Sequence, residues 1–145
     1  MKKYYWIALL AMAVTLSGCK DDKDNTPDPA SQIEGTWTAN GGGVVVDGVD
    51  HSAEYSNFSI TFTTTASGSK VYTVENGGHA FSDITWDTWA FTDNSETRIV
   101  RGYDDVEMSY TVDKNVLILE FTIADPLDDG RSKGMFGDFV MTLKK

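Results

Sequence analysis

Three features of the sequence predict an all-β domain, built as an antiparallel up-and-down β-barrel. Apolar and polar residues alternate along the chain, as in "NFSITFTTT" at residues 57–65, and a period of two is typical of strands buried on one face. Short turn signals rich in Gly, Asn and Asp, such as "ENGGH" and "VDKN", separate these segments. No stretch after residue 19 shows the apolar stripe of a helix. A meander that closes on itself removes its exposed edges, so we prefer the barrel to the alternative, a two-sheet β-sandwich.

Eight or nine short strands are predicted from the alternation. Their segments are 35–39, 43–47, 57–65, 70–75, 84–92, 96–101, 105–112, 115–123 and 138–145. The segment "ITWDTWAF" indicates curvature, because Ile84 and Trp86 have one parity while Trp89 and Phe91 have the other. A β-bulge near Asp87 would turn all four side chains inward, and bulges are where barrel strands bend.

Five aromatic residues are expected to point into the barrel near its middle strands: Trp86, Trp89, Phe91, Tyr110 and Phe121. In a hollow barrel these rings would line a site for a small apolar ligand, since such sites are mostly apolar with a few polar groups. In a solid barrel the same rings would be the core, because small barrels can be filled by their own side chains. Both alternatives stay open from the sequence.

The first 18 residues have the form of a signal peptide. Two lysines precede an uncharged run of thirteen residues, "YYWIALLAMAVTL", which is shorter than the roughly 20 residues that span a bilayer. Ser17 and Gly18 then stand directly before Cys19, the single cysteine. The sequence "LSGC" resembles the lipobox of bacterial lipoproteins. The resemblance implies cleavage before Cys19 and attachment of lipid there; the alternative is an ordinary secretory signal with an incidental cysteine.

Residues 19–32 are expected to be a disordered tether. The stretch "KDDKDNTPDPASQ" contains two prolines, many charges and no large apolar residue, so it cannot bury enough surface to fold. Its start, Lys20, Asp21 and Asp22, resembles the export signal of Bacteroidota surface lipoproteins. That resemblance implies an outer-membrane protein exposed at the cell surface, and the alternative is a lipoprotein that faces the periplasm.

The remainder, residues 33–145, is long enough for one domain with a real core. The whole chain carries 12 basic and 22 acidic side chains, a net charge of −10, and loss of the two leader lysines makes it about −12. Nucleic acid is therefore not an expected partner, because it requires a basic patch. The same charge argues against flat docking on an anionic membrane.

A family resemblance covers roughly residues 33–145. The segment "IEGTWTA" contains Gly35 and Trp37 as a G-x-W motif, and "FTDNSETRIVR", "YTVDKNVLILEF" and "GDFVMTLKK" follow in order. Together they resemble the lipocalin-like domains of Bacteroidota lipoproteins. The resemblance implies that Trp37 packs at the closed end of the barrel. The T-D-Y motif of the main lipocalins is absent, and the arginine that covers their tryptophan has no clear match, since the last strand ends in two lysines.

The residues that could support catalysis are few, so we expect a non-catalytic protein without a cofactor or metal. His51 and His79 are the only histidines and lie in loop-like stretches. His51 with Glu54 could suggest a metal pair, but two ligands do not make a site. Asp104 and Asp105 are adjacent, so they are expected to shape a turn rather than act as an acid/base pair.

The longest irregular segment is "ADPLDDGRSKGMFGD" at residues 124–138. Loops of this length in compact domains are often functional. Asp125, Asp128 and Asp129 could hold calcium, and an ordinary acidic loop is the alternative.

These features lead to two functional expectations. The first is a lipid-anchored envelope protein that binds a small apolar ligand or a partner protein through its barrel. The alternative is a structural or accessory subunit of an outer-membrane surface assembly with a filled barrel core.

Overall fold

The computed structural model describes residues 28–81, 85–92, 96–124 and 135–145. This part of the chain contains one short helix, α1 (Pro29–Ile33), one turn of 3-10 helix (Gly78–Phe81) and nine strands. The strands are β1 (Gly35–Val46), β2 (Val49–Asp50), β3 (Ser59–Thr64), β4 (Lys70–Glu75), β5 (Trp86–Phe91), β6 (Arg98–Arg101), β7 (Glu107–Asp113), β8 (Val116–Ile123) and β9 (Gly137–Lys144).

The strands form a closed antiparallel barrel. Strand β1 pairs with β3, and each strand from β3 to β8 pairs with the next one along the chain. The sheet closes because β1 also pairs with β9, where Val44 lies opposite Met141. Eight strands therefore form the barrel, and β2 is an additional short strand beside the end of β1. The predicted up-and-down barrel is confirmed, and the sandwich alternative is wrong because this closure joins all the strands in one sheet.

The two predicted strands at 35–39 and 43–47 are one strand, β1, with a break in its pairing between Thr38 and Gly43. At Gly42 the carbonyl oxygen of Thr142 lies 1.8 Å from where a Cβ atom would be. Only glycine permits so close an approach of two backbones. The glycine-rich segment is therefore the bend that lets β1 pair with β3 at its beginning and with β9 toward its end.

One end of the barrel, which we call the helix end, is covered by α1. Asp28 caps the helix by accepting a hydrogen bond from the backbone N–H of Ala30, and Ala30 and Ile33 are buried. These residues overlap the predicted tether, so the folded domain begins by Asp28. The tether boundary at residue 32 was placed too late, because one turn of helix is too short to show a sequence pattern.

Trp37 lies at this helix end, fully buried, and its indole N–H donates a 2.7 Å hydrogen bond to the carbonyl oxygen of Ile33. The ammonium of Lys145 lies 4.7 Å from the centroid of the Trp37 ring and donates to the carbonyl oxygen of Glu34. The cation that covers the tryptophan is therefore a lysine at the last position, which the sequence analysis had left without a match.

Candidate functional site

The opposite end of the barrel, which we call the loop end, is filled by side chains from its own loops. Phe81, the last residue of the 3-10 helix between β4 and β5, is fully buried. Its ring stacks on Phe58 at 5.4 Å between centroids and meets the edges of Phe121 at 5.9 Å and Tyr72 at 6.1 Å. Phe81 therefore lies between rings from opposite sides of the barrel and fills the space between them.

A charged side chain is buried beside this ring. Arg101 has no exposed surface, and it is the one charged residue that is buried among the residues described. Its Nε donates to Asp104 at 2.9 Å, its Nη2 donates to the second oxygen of the same carboxylate, and its Nη1 donates to the carbonyl oxygen of Ala80 at 2.7 Å. The guanidinium also lies over the rings of Phe81, at 4.9 Å, and Phe121, at 5.7 Å.

Through these contacts Arg101 holds two loops together at the loop end. One bond holds the 3-10 helix that carries Phe81, and a bidentate pair holds the turn between β6 and β7, which carries Asp104. Charge-assisted bidentate pairs are among the stronger hydrogen bonds in proteins. With both oxygens of Asp104 engaged, the arrangement is suited to hold two loops together rather than to transfer a proton.

A second carboxylate at the loop end also binds backbone groups. Asp87 accepts hydrogen bonds from the backbone N–H groups of Thr88 at 2.7 Å and Tyr103 at 2.8 Å, and from the hydroxyl of Tyr72 at 3.3 Å. Burial raises the pKa of Tyr72 well above its ordinary range, an effect that the nearby Arg101 charge opposes and that Asp87 reinforces. Tyr72 therefore stays protonated and can act as the donor.

Of the five aromatic residues predicted for a pocket, four point inward and one points outward. Trp89 and Phe121 are buried, and Phe91 and Tyr110 pack against the core with partial exposure. Trp86 is 63 % exposed, so its predicted inward orientation is wrong. The pairing of β4 with β5 continues without a break from Trp86 to Thr88. No bulge forms near Asp87, and the regular alternation therefore turns Trp86 outward. Ile84 lies outside the described residues.

The inward rings contact one another. Trp89 meets the edge of Phe91 at 5.3 Å and of Phe62 at 5.8 Å, and Phe91 lies 6.4 Å from Tyr110. The indole N–H of Trp89 donates to the carbonyl oxygen of Val71, and the ammonium of Lys70 lies 5.9 Å from the centroids of both the Trp89 and Phe91 rings. These side chains form a packed cluster at the helix end of the interior.

The other candidate residues do not assemble a reactive group. His51 Nδ1 lies 2.9 Å from Glu54, but no cluster of three metal-binding side chains occurs in the described ranges. His79 is exposed in the 3-10 helix. Asp104 and Asp105 shape the turn after β6, as expected, where Asp105 has a positive φ of 54°. The predicted calcium ligands Asp125, Asp128 and Asp129 lie outside the described residues.

Cys19 and the neighbouring Lys20, Asp21 and Asp22 also lie outside the described part of the chain. Within the described part, neither helix is long and apolar enough to cross a membrane. Comparisons with protein-family models, with curated proteins and with solved structures find no match to this chain.

Sequence reasoning missed the two residues that define the loop end. Arg101 shares the parity of the buried Ile99 in "RIVR", and this alternation was a signal that its side chain points inward. Phe81 had no comparable signal, because it lies in a connection whose shape is set by the contacts it makes.

Proposed function

We propose that this chain is a non-catalytic, lipid-anchored envelope protein that serves as a structural or accessory subunit of an outer-membrane surface assembly. The observation that carries the proposal is the occupation of the barrel by its own side chains. Phe81 blocks the loop end, and Arg101 holds the 3-10 helix that carries it. A barrel filled in this way presents its outer surface, rather than a cavity, to other molecules.

The anchoring part of the proposal rests on the leader sequence. A basic start, a short apolar run and small residues directly before Cys19 agree with a lipobox. Two or three acyl chains at one residue give a lasting anchor, whereas a single chain holds only weakly. The Lys20-Asp21-Asp22 segment supports export to the cell surface.

The position of α1 supports an orientation for such a protein. The chain enters the barrel at the helix end, where Asp28 caps α1, so a tether from Cys19 would join the domain there. The loop end, with Phe81 and Arg101, would then face away from the membrane. Two exposed rings lie near this end: Trp86, which is 63 % exposed, and Tyr103, which is 73 % exposed. Asp87 joins their segments, because it follows Trp86 and accepts a hydrogen bond from the backbone N–H of Tyr103.

Metabolic labelling with a radioactive fatty acid tests the anchor. The parent chain should incorporate label, and Cys19→Ala should not and should be recovered as soluble or unprocessed protein. Label retained by Cys19→Ala would contradict the anchor.

Protease added to intact cells tests the side of the membrane. It should remove the domain of the parent protein, while replacement of Lys20, Asp21 and Asp22 by alanine should protect it. Equal protection of both forms would indicate a periplasm-facing lipoprotein.

A further inference from the structure

A row of four side chains crosses the outer face of four neighbouring strands. The register places Thr36 of β1 opposite Thr61 of β3, Thr61 opposite Thr73 of β4, and Thr73 opposite Trp86 of β5. Side chains alternate between the two faces of a strand. Each of the three threonines has a neighbour in the chain that belongs to the buried core: Trp37, Phe62 and Tyr72. All four therefore project outward. We call this set the threonine–tryptophan row.

Trp86 differs from the other tryptophans of the described barrel. Trp37 and Trp89 are buried, with 0 % and 3 % of their surface exposed, whereas Trp86 is 63 % exposed on a regular strand. Its backbone is not free to rearrange, because Trp86 pairs with Thr73 and is followed by Asp87, which is held by three hydrogen bonds. The ring is thus displayed to solvent from a rigid position.

Two of the three hydroxyl groups of the row hold each other in place. Thr36 Oγ1 lies 2.8 Å from Thr61 Oγ1, within hydrogen-bond distance. Threonine is stiff at χ1 because it branches at Cβ. A set of donors and acceptors that is already ordered loses little entropy when it binds.

The hydroxyl-rich surface extends beyond the row. On the adjacent positions Thr38 lies opposite Ser59, and Ser59 lies opposite Glu75. These three residues also line a cleft on the same outer face, together with Thr36, Asn40 and Asn57. Neighbouring strands lie about 4.8 Å apart, so four positions in register follow a path of roughly 14 Å along the curved outer surface of the barrel. The interval between two neighbouring strands is close to the repeat of one sugar ring in an extended polysaccharide.

The chemistry of this face selects the kind of ligand. An exposed indole ring stacks on the apolar C–H face of a pyranose, and ordered hydroxyl and amide groups pair with sugar hydroxyls. The row contains no basic side chain, and the chain has a net charge of −10, which disfavours a polyanion. A protein interface needs a broader apolar centre than one ring among hydroxyl groups. We propose that the outer face of β1, β3, β4 and β5 binds a neutral glycan along the threonine–tryptophan row.

In this arrangement Trp86 stacks on one sugar ring, while Thr61 and Thr73 hydrogen-bond to the sugars beside it. The site goes beyond the accessory role proposed above, and it depends on neither the lipid anchor nor a filled interior.

Affinity electrophoresis of the full-length protein in mild detergent tests the site. The gels contain amylopectin, xyloglucan, galactomannan or mixed-linkage β-glucan as neutral probes, and polygalacturonate as the anionic comparison. At least one neutral polysaccharide should retard the parent protein. Trp86→Ala should weaken that binding by about tenfold or more, and Thr73→Val by about fivefold, the equivalent of one neutral hydrogen bond.

Thr111→Val is the matched control, because Thr111 is an exposed threonine on β7, away from the row. Its binding should equal that of the parent. The proposal is overturned if no neutral polysaccharide retards the parent, if polygalacturonate alone does, or if Trp86→Ala binds as well as the parent. It is equally overturned if Thr111→Val loses as much binding as Thr73→Val.

Discussion

The guanidinium of Arg101 donates a 2.7 Å hydrogen bond to the backbone carbonyl oxygen of Ala80, 21 residues earlier in the chain. This bond joins the end of β6 to the 3-10 helix whose next residue is Phe81. Because Arg101 is fully buried and also binds Asp104, one side chain ties together three segments of the loop end. The stability of the loop end should therefore depend on the hydrogen bonds of Arg101.

Asp104→Asn should lower the free energy of unfolding by about 2–3 kcal/mol, since it leaves a buried guanidinium without its counter-charge. Loss of one partner of a fully buried pair costs roughly 3–5 kcal/mol, and Asp104 is 25 % exposed, so we expect less. Chemical denaturation measures the change. Asp105→Asn, at the next position of the same turn, is the control and should cost less than about 0.5 kcal/mol. Equal losses in the two variants would show that the pair between Arg101 and Asp104 contributes nothing specific to stability.

Lys145→Met should destabilise the helix end by about 1 kcal/mol, because it removes the ammonium that lies over Trp37 and donates to Glu34. The apolar stem is retained in methionine, so the loss reports the charge and the hydrogen bond. Thermal unfolding compares it with Lys144→Met, whose side chain is exposed. If Lys144→Met is as destabilising as Lys145→Met, the contact with Trp37 contributes nothing specific.

Tyr72 should make the protein unstable in alkali. Burial raises the pKa of Tyr72 in the folded state above its ordinary value of 10.0. A group whose pKa is raised on folding contributes stability that is complete below the unfolded-state pKa and is lost as pH rises above it. The free energy of unfolding should therefore fall between pH 10 and the onset of base-induced unfolding.

Burial also raises the pKa of Tyr55 and Tyr110. The variant Tyr72→Phe separates the contribution of Tyr72 to the alkaline loss of stability from the contributions of these two tyrosines. The variant should show a shallower decline with pH than the parent. An identical decline would mean that Tyr72 does not titrate with unfolding.

The strand pattern could be predicted because it depends on local alternation. Segments such as 70–75 and 115–123 match β4 and β8 closely, since one face of each is apolar. Closure between β1 and β9 followed from the need to remove edges. The bend at Gly42 was missed, because its cause is a contact with Thr142, 100 residues away.

The candidate site was less predictable from the sequence. Five aromatic residues were predicted to point inward, either as a pocket lining or as core, but the residue that fills the loop end is Phe81, which belongs to a connection rather than to a strand. Trp86 was misplaced because a bulge was invoked where regular alternation was sufficient. Arg101 was not identified, because charged side chains are rarely buried. A buried charge is stable when it is paired and hydrogen-bonded, as Arg101 is.

The filled interior is tested most directly by titrating the full-length protein with a fluorescent fatty acid, such as cis-parinaric acid, while tryptophan emission is followed. The parent should show no saturable change, and Phe81→Ala should lose about 3–5 kcal/mol of stability, because it opens a cavity among Phe58, Tyr72 and Phe121. Trp89→Ala should likewise be destabilised. Saturable binding by the parent, weakened by Trp89→Ala with little loss of stability, would contradict the filled barrel and indicate a ligand carrier.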